Sequence, residues 1–322
     1  VQSVFEHLNG SDALLPPTGV EEAPGETAYR RVLGRLGQYT EAVVAPLNMR
    51  PRAAALLSAC PERVEVRVST PASAIVVVIA PDGDLSAEVF FLRTMAARNL
   101  PARRLIAHDL SRTAHPFSYA VESHVGGGPL DQVESDALLR VAARQVGRTL
   151  HQLHRAPAPG FGWPTPTGRW PAATWRAALR GWLERIGAFA QADALLEPAT
   201  AARLWAALLD HPALDWAEPR ALHGAVTPAH AIVTRAESIQ LEALTCPGPL
   251  AAGDPLFDLA LGLAPAHPAA FRAGLLEGYT AMGALDAAQE ARLAHLRRLV
   301  QAVAALAAAD EAALAEVMET GE

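Results

Sequence analysis

The side chains here that could exchange protons or hold a metal are histidines, carboxylates, two cysteines and arginines. Lysine is absent, so all 27 residues of the Lys+Arg count are arginine. His223-Gly224-Ala225, followed by His230, brings two imidazoles around a glycine. That pattern is open to residual proton or metal chemistry. It is also the pattern of a histidine that hydrogen-bonds the backbone beside a glycine turn, which is the plainer expectation. His151 and His154, three apart, face nearly the same way on a predicted helix. Two imidazoles fall short of a metal's usual ligand set, so packing is expected there. Cys60 and Cys246 match no metal or redox spacing, which points to a reduced compartment such as the cytoplasm. Gly126-Gly127-Gly128 reads as a hinge rather than a phosphate cradle, because no Gly-x-Gly-x-x-Gly follows a strand. Trp163, Trp170, Trp175 and Trp182 are expected in the core and along a groove. Arg103-Arg104 and Arg297-Arg298 are expected on solvated faces.

The elements that must position these groups follow from composition and periodicity. The chain has 322 residues, 51% hydrophobic and 19% charged, so it can build a core. A net charge of −7 argues against a nucleic-acid binder. The apolar runs Ala74–Ala80 and Ala302–Ala309 are too short to span a bilayer. No secretory pattern opens the sequence, so a cytoplasmic protein with no membrane partner is expected. Arginine in place of lysine, with abundant Ala and Pro, is the composition of a GC-rich bacterial genome.

Residues 1–50 read as an extension, with a loop-like lead-in (Leu15-Pro16-Pro17-Thr18-Gly19, Pro24-Gly25) and a helix from Glu26 to about Leu36. Residues 51–125 read as a small β-rich lobe. A helix is predicted from Pro51 to about Ala59, on the Pro at its start. Val64, Val66 and Val68 alternate as in a half-buried strand, and Ala74–Ala80 forms a second strand of the same hairpin. Leu85–Asn99 reads as a helix and Phe117–Val121 as a further strand. Residues 126–322 are mainly helical: Ser135–Arg155, Ala172–Ala188, Ala201–Leu209, Ala269–Met282 and one or two helices over Asp286–Met318. A small hairpin, Ala231–Val233 with Ile239–Leu241, interrupts them.

Four motifs in this order resemble the aminoglycoside phosphotransferase and choline kinase-like family. They are Ala87–Arg93 followed by Asn99-Leu100-Pro101-Ala102; Tyr119–Leu130; Val146–His154; and His223–Val233 followed by Gly253–Ala260. The resemblance spans roughly residues 52–285. It implies a protein-kinase-like α+β fold with a β-rich front lobe and a helical back lobe. It also implies transfer of a phosphoryl group from magnesium–ATP to a hydroxyl of a small molecule. Val78, Glu88, Glu122, Ser123 and His124 would fall at nucleotide-pocket positions.

Against that pattern, the residues that carry the chemistry have changed. The aspartate that would accept the substrate proton is Ala225, and the magnesium-binding asparagine is His230. No Asn follows Asn99. The second metal aspartate would fall near 241–244, where Ala243 stands with Glu242 as the nearest carboxylate. No Asp lies between Trp216 and Gly253. The phosphate-binding lysine falls at about Val78, in a segment from Val68 to Leu92 that holds no basic residue. Glu88 then needs an arginine or water as partner. No glycine lies between Gln38 and Asp82 to cover a nucleotide. Asp254 and Asp258 are expected to brace the back lobe.

The expectation is a family member without catalysis or cofactor, acting by binding an unknown small molecule or protein. Its relic loop would be His223, Gly224, Ala225 and His230. Two alternatives stay open. One is a working magnesium–ATP phosphotransferase with Glu242 on the metal. The other is a scaffold or homo-oligomer that uses the N-terminal extension and the Ala-rich C-terminal helix as faces.

Overall fold

In a computed structural model, residues 3–10, 25–235 and 237–319 are described. The lead-in Leu15–Gly19 lies outside them. The chain divides into two compact units. The first takes the described residues of Val1–Leu92 and Arg103–Val125; the second takes Arg93–Ala102 and Gly126–Glu322.

In the first unit, α1 (Glu26–Gly34) and α2 (Leu36–Val44) precede β1 (Ala53–Cys60), β2 (Arg63–Ser69) and β3 (Ala74–Ala80). Helix α3 (Ser86–Ala97) follows, then β4 (Leu105–Asp109) and β5 (Ser118–Ser123). The strands form one antiparallel sheet in the order β1-β2-β3-β5-β4. Alternation on β2 sorts its side chains: Val64, Val66 and Val68 enter one core with Ile75, Val77 and Ile79 of β3. Tyr29, Val32 and Leu33 of α1 and Leu36, Val43 and Val44 of α2 close over the same face. The extension therefore completes the core of the sheet, and its apolar face is buried there. Each such buried side chain is worth about 1.5–3 kcal/mol.

The helix expected over Pro51–Ala59 is instead the edge strand β1. Alanine and leucine favour helix intrinsically, but pairing with β2 decides the conformation here. A register shift between Leu56 and Ser58 turns Leu57 outward, 44% exposed. The strands over Val64–Val68 and Ala74–Ala80, and their hairpin, form as the alternation implies.

The second unit contains β6 (Gly128–Pro129), α4 (Asp136–Leu153), α5 (Trp175–Arg185), α6 (Ala188–Leu195) and α7 (Pro198–Leu209). Next come β7 (Arg220–Ala221), β8 (Ala231–Arg235), β9 (Ile239–Leu244) and β10 (Ala252–Gly253). Helices α8 (Leu256–Gly262), α9 (Ala269–Thr280), α10 (Ala287–Ala307) and α11 (Glu311–Glu319) complete it. Asp286–Met318 is thus two helices, parted where Ala309 takes a left-handed φ of 52°. Helices α4 and α9 pack backbone to backbone. A Cβ on Gly147, Gly274 or Gly278 would strike a main-chain carbonyl of the facing helix. Trp175 and Trp182 are buried edge-on against Phe257, so these two tryptophans are core. No helix among the described residues is long and apolar enough to cross a membrane.

Candidate functional site

The candidate residues fall in both units. In the first, Val78 is fully buried on β3 among Val76, Ala80, Leu85 and Ala120. Its cross-strand neighbours are Glu65 on β2 and Ala120 on β5. Glu88, in the first turn of α3, is held by both terminal nitrogens of Arg63, with Nη2 2.7 Å from Oε1. Arg63 Nε also donates to Glu65 Oε1 at 2.7 Å. Arg103, which the sequence suggested was solvated, is only 10% exposed. Its Nη1 lies 3.2 Å from Glu65 Oε2 and 3.4 Å from Glu122 Oε2. Burial works to raise the Glu65 carboxyl, but Arg63 and Arg103 prevail and hold it down at about 2.

Glu122 behaves in the opposite way. Burial, then the neighbouring Glu88 carboxylate, raise it well above the usual carboxylate range. Its Oε1 finds no donor, and its contact with Glu88 is a hydrogen bond between two carboxyl groups. Two guanidiniums face three carboxyl groups in this cluster, and the raised pKa of Glu122 reflects that excess of acid. The amide groups of Ser123 and His124 are also engaged, donating to Arg104 O at 2.8 Å and Ala74 O at 3.0 Å. Burial, with Arg67 and Arg103 nearby, lowers the His124 imidazole.

In the second unit, the loop His223-Gly224-Ala225 hangs on Asp258. That fully buried carboxylate accepts from His223 N and Gly224 N, both at 2.7 Å, and from His154 Nε2 at 2.9 Å. Burial works against the charge on Asp258; His154 and His223 outweigh it and lower its pKa. The Tyr279 hydroxyl in turn bonds His154 Nδ1 at 3.0 Å. Asp258 and His154 are therefore braces. Gly224 has φ +73°, and a Cβ there would strike the Leu250 carbonyl, so the turn requires glycine.

His223 Nε2 donates to Thr245 O at 3.0 Å, and its Nδ1 accepts from Ala225 N at 3.3 Å. Burial lowers its pKa to about 4, so the ring is neutral at pH 7. The sign follows directly. The unfolded chain takes a proton near pH 6.5 that the folded ring refuses, so stability falls as pH drops from 6.5 to 4. The loss is about 3 kcal/mol across that window. Proton NMR should show the His223 ring unprotonated at pH 5.5; a midpoint above 6 would contradict this.

His230 Nδ1 donates to the Ala225 carbonyl at 2.7 Å, and its own carbonyl accepts from Thr245 N at 2.8 Å. Glu242 lies on the exposed side of β9, where its Oε1 accepts from Thr234 Oγ1 at 2.6 Å. Ala243 is buried within β9. The segment that follows the hairpin and touches the loop is Thr245–Gly248, with Gly248 N donating to His223 O at 2.8 Å. There Cys246 takes a left-handed φ of 51° and brings a half-buried thiol, but no carboxylate. Among the described residues, no three His, Cys, Asp or Glu side chains gather closely enough to hold a metal ion.

Residues 62–296 match the phosphotransferase enzyme family known as APH. The chain belongs to that family. No curated protein matches it. Among solved structures it is similar to a thermostable mutant of the aminoglycoside phosphotransferase APH(4)-Ia in complex with ADP and hygromycin B. There the TM-score is 0.62 at 16% identity, covering 88% of this chain and 96% of that one. It is also similar to the apoenzyme of macrolide 2'-phosphotransferase MphH from Brachybacterium faecium, with a TM-score of 0.55 at 18% identity, covering 88% and 98%. At such identities the likeness establishes the protein-kinase-like fold.

For this phosphotransferase family member, the motif spacing located Glu88 and the His223 loop. It missed the partners. Arg63 opens β2, just before the Val68–Leu92 segment that holds no basic residue, and Arg103 follows α3 in a stretch that looks solvated. The one available signal was chemical: with no lysine in the chain, a buried Glu88 needs an arginine.

Proposed function

We propose that this phosphotransferase family member acts by binding and does not transfer phosphoryl groups. The observation that carries the reading is the buried cluster beside Val78. Both guanidiniums in it are matched to carboxylates, and a third carboxyl group lies against them. A triphosphate needs uncommitted cations, and three carboxyl groups at that face are poor company for it. Magnesium prefers oxygen ligands. The loop instead offers a methyl group at Ala225, an imidazole at His230 and a thiol at Cys246, and Glu242 is committed to Thr234. These residues do not fit a magnesium–nucleotide pair. Loss of the general base alone costs about 10²–10⁴ in rate.

A transfer assay with terminally labelled ATP and hydroxylated acceptors tests the reading. No acceptor should be labelled above the uncatalysed background. Labelling that disappears in Glu242→Gln would restore a working phosphotransferase with the metal held on β9.

A further inference from the structure

A cavity of about 280 Å³ opens within the second unit, on the side of His154 away from the His223 loop. Its polar lining consists of His151, His154, Arg155, Tyr279, Gln289 and Arg292, and no carboxylate lines it. On a chain of net charge −7, a concave surface with basic groups and no acid is a local inversion of sign.

Three of the donors, Arg292, Gln289 and Tyr279, are held in place. Arg292 is pinned on two sides, with its Nε 2.7 Å from Asp254 and its guanidinium 4.5 Å from the Trp216 ring centre. Asp254 is fully buried behind it. The terminal nitrogens of Arg292 meet no acceptor among the described residues. Arg155 makes no ion pair among them. The buried Nδ1 of His151 has no hydrogen-bond partner. Gln289 commits its carbonyl oxygen to Asp286 N at 2.9 Å, closing a capping box at the start of α10, and this leaves its NH₂ as a donor. Tyr279 stays rigid through His154 and Asp258. The remaining wall is apolar, from Trp216, Pro255, Leu256 and Leu285.

We propose that this cavity is a binding site for a small oxyanion on a compact apolar body, a carboxylate or a phosphate monoester. Arg155 supplies the uncompensated positive charge, the terminal N–H groups of Arg292 and the Gln289 amide orient the anion, and the Trp216–Leu285 wall takes the body. Two guanidiniums match a carboxylate or phosphate group geometrically. The volume sits at the small end of ligand pockets, which excludes a nucleotide. Because Arg292, Gln289 and Tyr279 are already held, only Arg155 must be ordered on binding. The inference does not depend on whether the chain transfers phosphoryl groups.

The test uses the full chain with benzoate, phenyl phosphate and inorganic phosphate as probes at constant ionic strength. Benzoate or phenyl phosphate should raise the melting temperature saturably. It should also shift the His151 ring resonances along the same curve. Inorganic phosphate should act at least tenfold more weakly, since it has no body for the wall. Arg155→Ala changes an exposed side chain and should leave the unliganded melting temperature unchanged while weakening binding at least tenfold. Equal responses to benzoate and inorganic phosphate, or an unaltered response in Arg155→Ala, would overturn the assignment. So would a non-saturating response to all three. Which organic probe binds more tightly tells a carboxylate site from a phosphate site.

Discussion

Asp258→Ala should lower the stability of the folded protein by about 2–6 kcal/mol, since two buried main-chain donors lose their acceptor. The physical basis is the number of donors gathered on one carboxylate. His223 N, Gly224 N and His154 Nε2 all reach Asp258, and the residue is fully buried. Without it, two main-chain N–H groups lose their acceptor in a place water does not reach, at about 1–3 kcal/mol each. Asp258→Asn keeps one oxygen and should lose distinctly less. Urea unfolding at pH 7 measures both. A loss below about 1 kcal/mol in the alanine variant would mean that the loop is held by something other than this carboxylate.

Arg63→Met should be comparably damaging, at about 3–5 kcal/mol, because the buried Glu88 and Glu65 then lose their cation. Its pH dependence separates charge from packing. In the native protein the Glu65 carboxyl, held at about 2, contributes stability that is present above pH 4.5 and lost as pH falls through 2. With Arg63 gone, Glu65 titrates higher, so the deficit of the variant should be largest at pH 7 and shrink as pH falls toward 2. Glu122→Gln is the control within the same cluster. An amide replaces a carboxyl group whose charged form burial and Glu88 disfavour, and it can still accept from Arg103. That variant should match the native protein at pH 5 and equal or exceed its stability at pH 8. A pH-independent loss in Arg63→Met would point to packing alone.

How much of this was legible in the sequence depended on whether the local signal agreed with the final contacts. Valine alternation over Val64–Val68 and the apolar run Ala74–Ala80 are strands by pattern and by pairing alike. Ala53–Cys60 carries helix-forming residues, yet becomes a strand because β2 offers an edge to pair with. No window along the chain contains that information. Helix α2 was missed because it follows α1 after a single residue and merges with it in the periodicity.

At the candidate site, Val78, Ala225 and His230 differ from the residue types that the resemblance implies there, and that difference was readable directly. The replacement arrangement was not. Arg63 reaches Glu88 from β2 over a sequence separation of 25 residues. Arg103 enters a buried cluster from a stretch that looks polar and exposed. Cys246 became visible only once the end of β9 was fixed at Leu244. Asp258 carries more of the loop's anchoring than the histidines that drew attention to it.

The most direct test of the central claim is calorimetric titration of the full chain with ATP, with and without magnesium. We expect no saturable heat at millimolar nucleotide in either condition, and no change in melting temperature. Saturable binding of ATP that strengthens when magnesium is added would contradict the account.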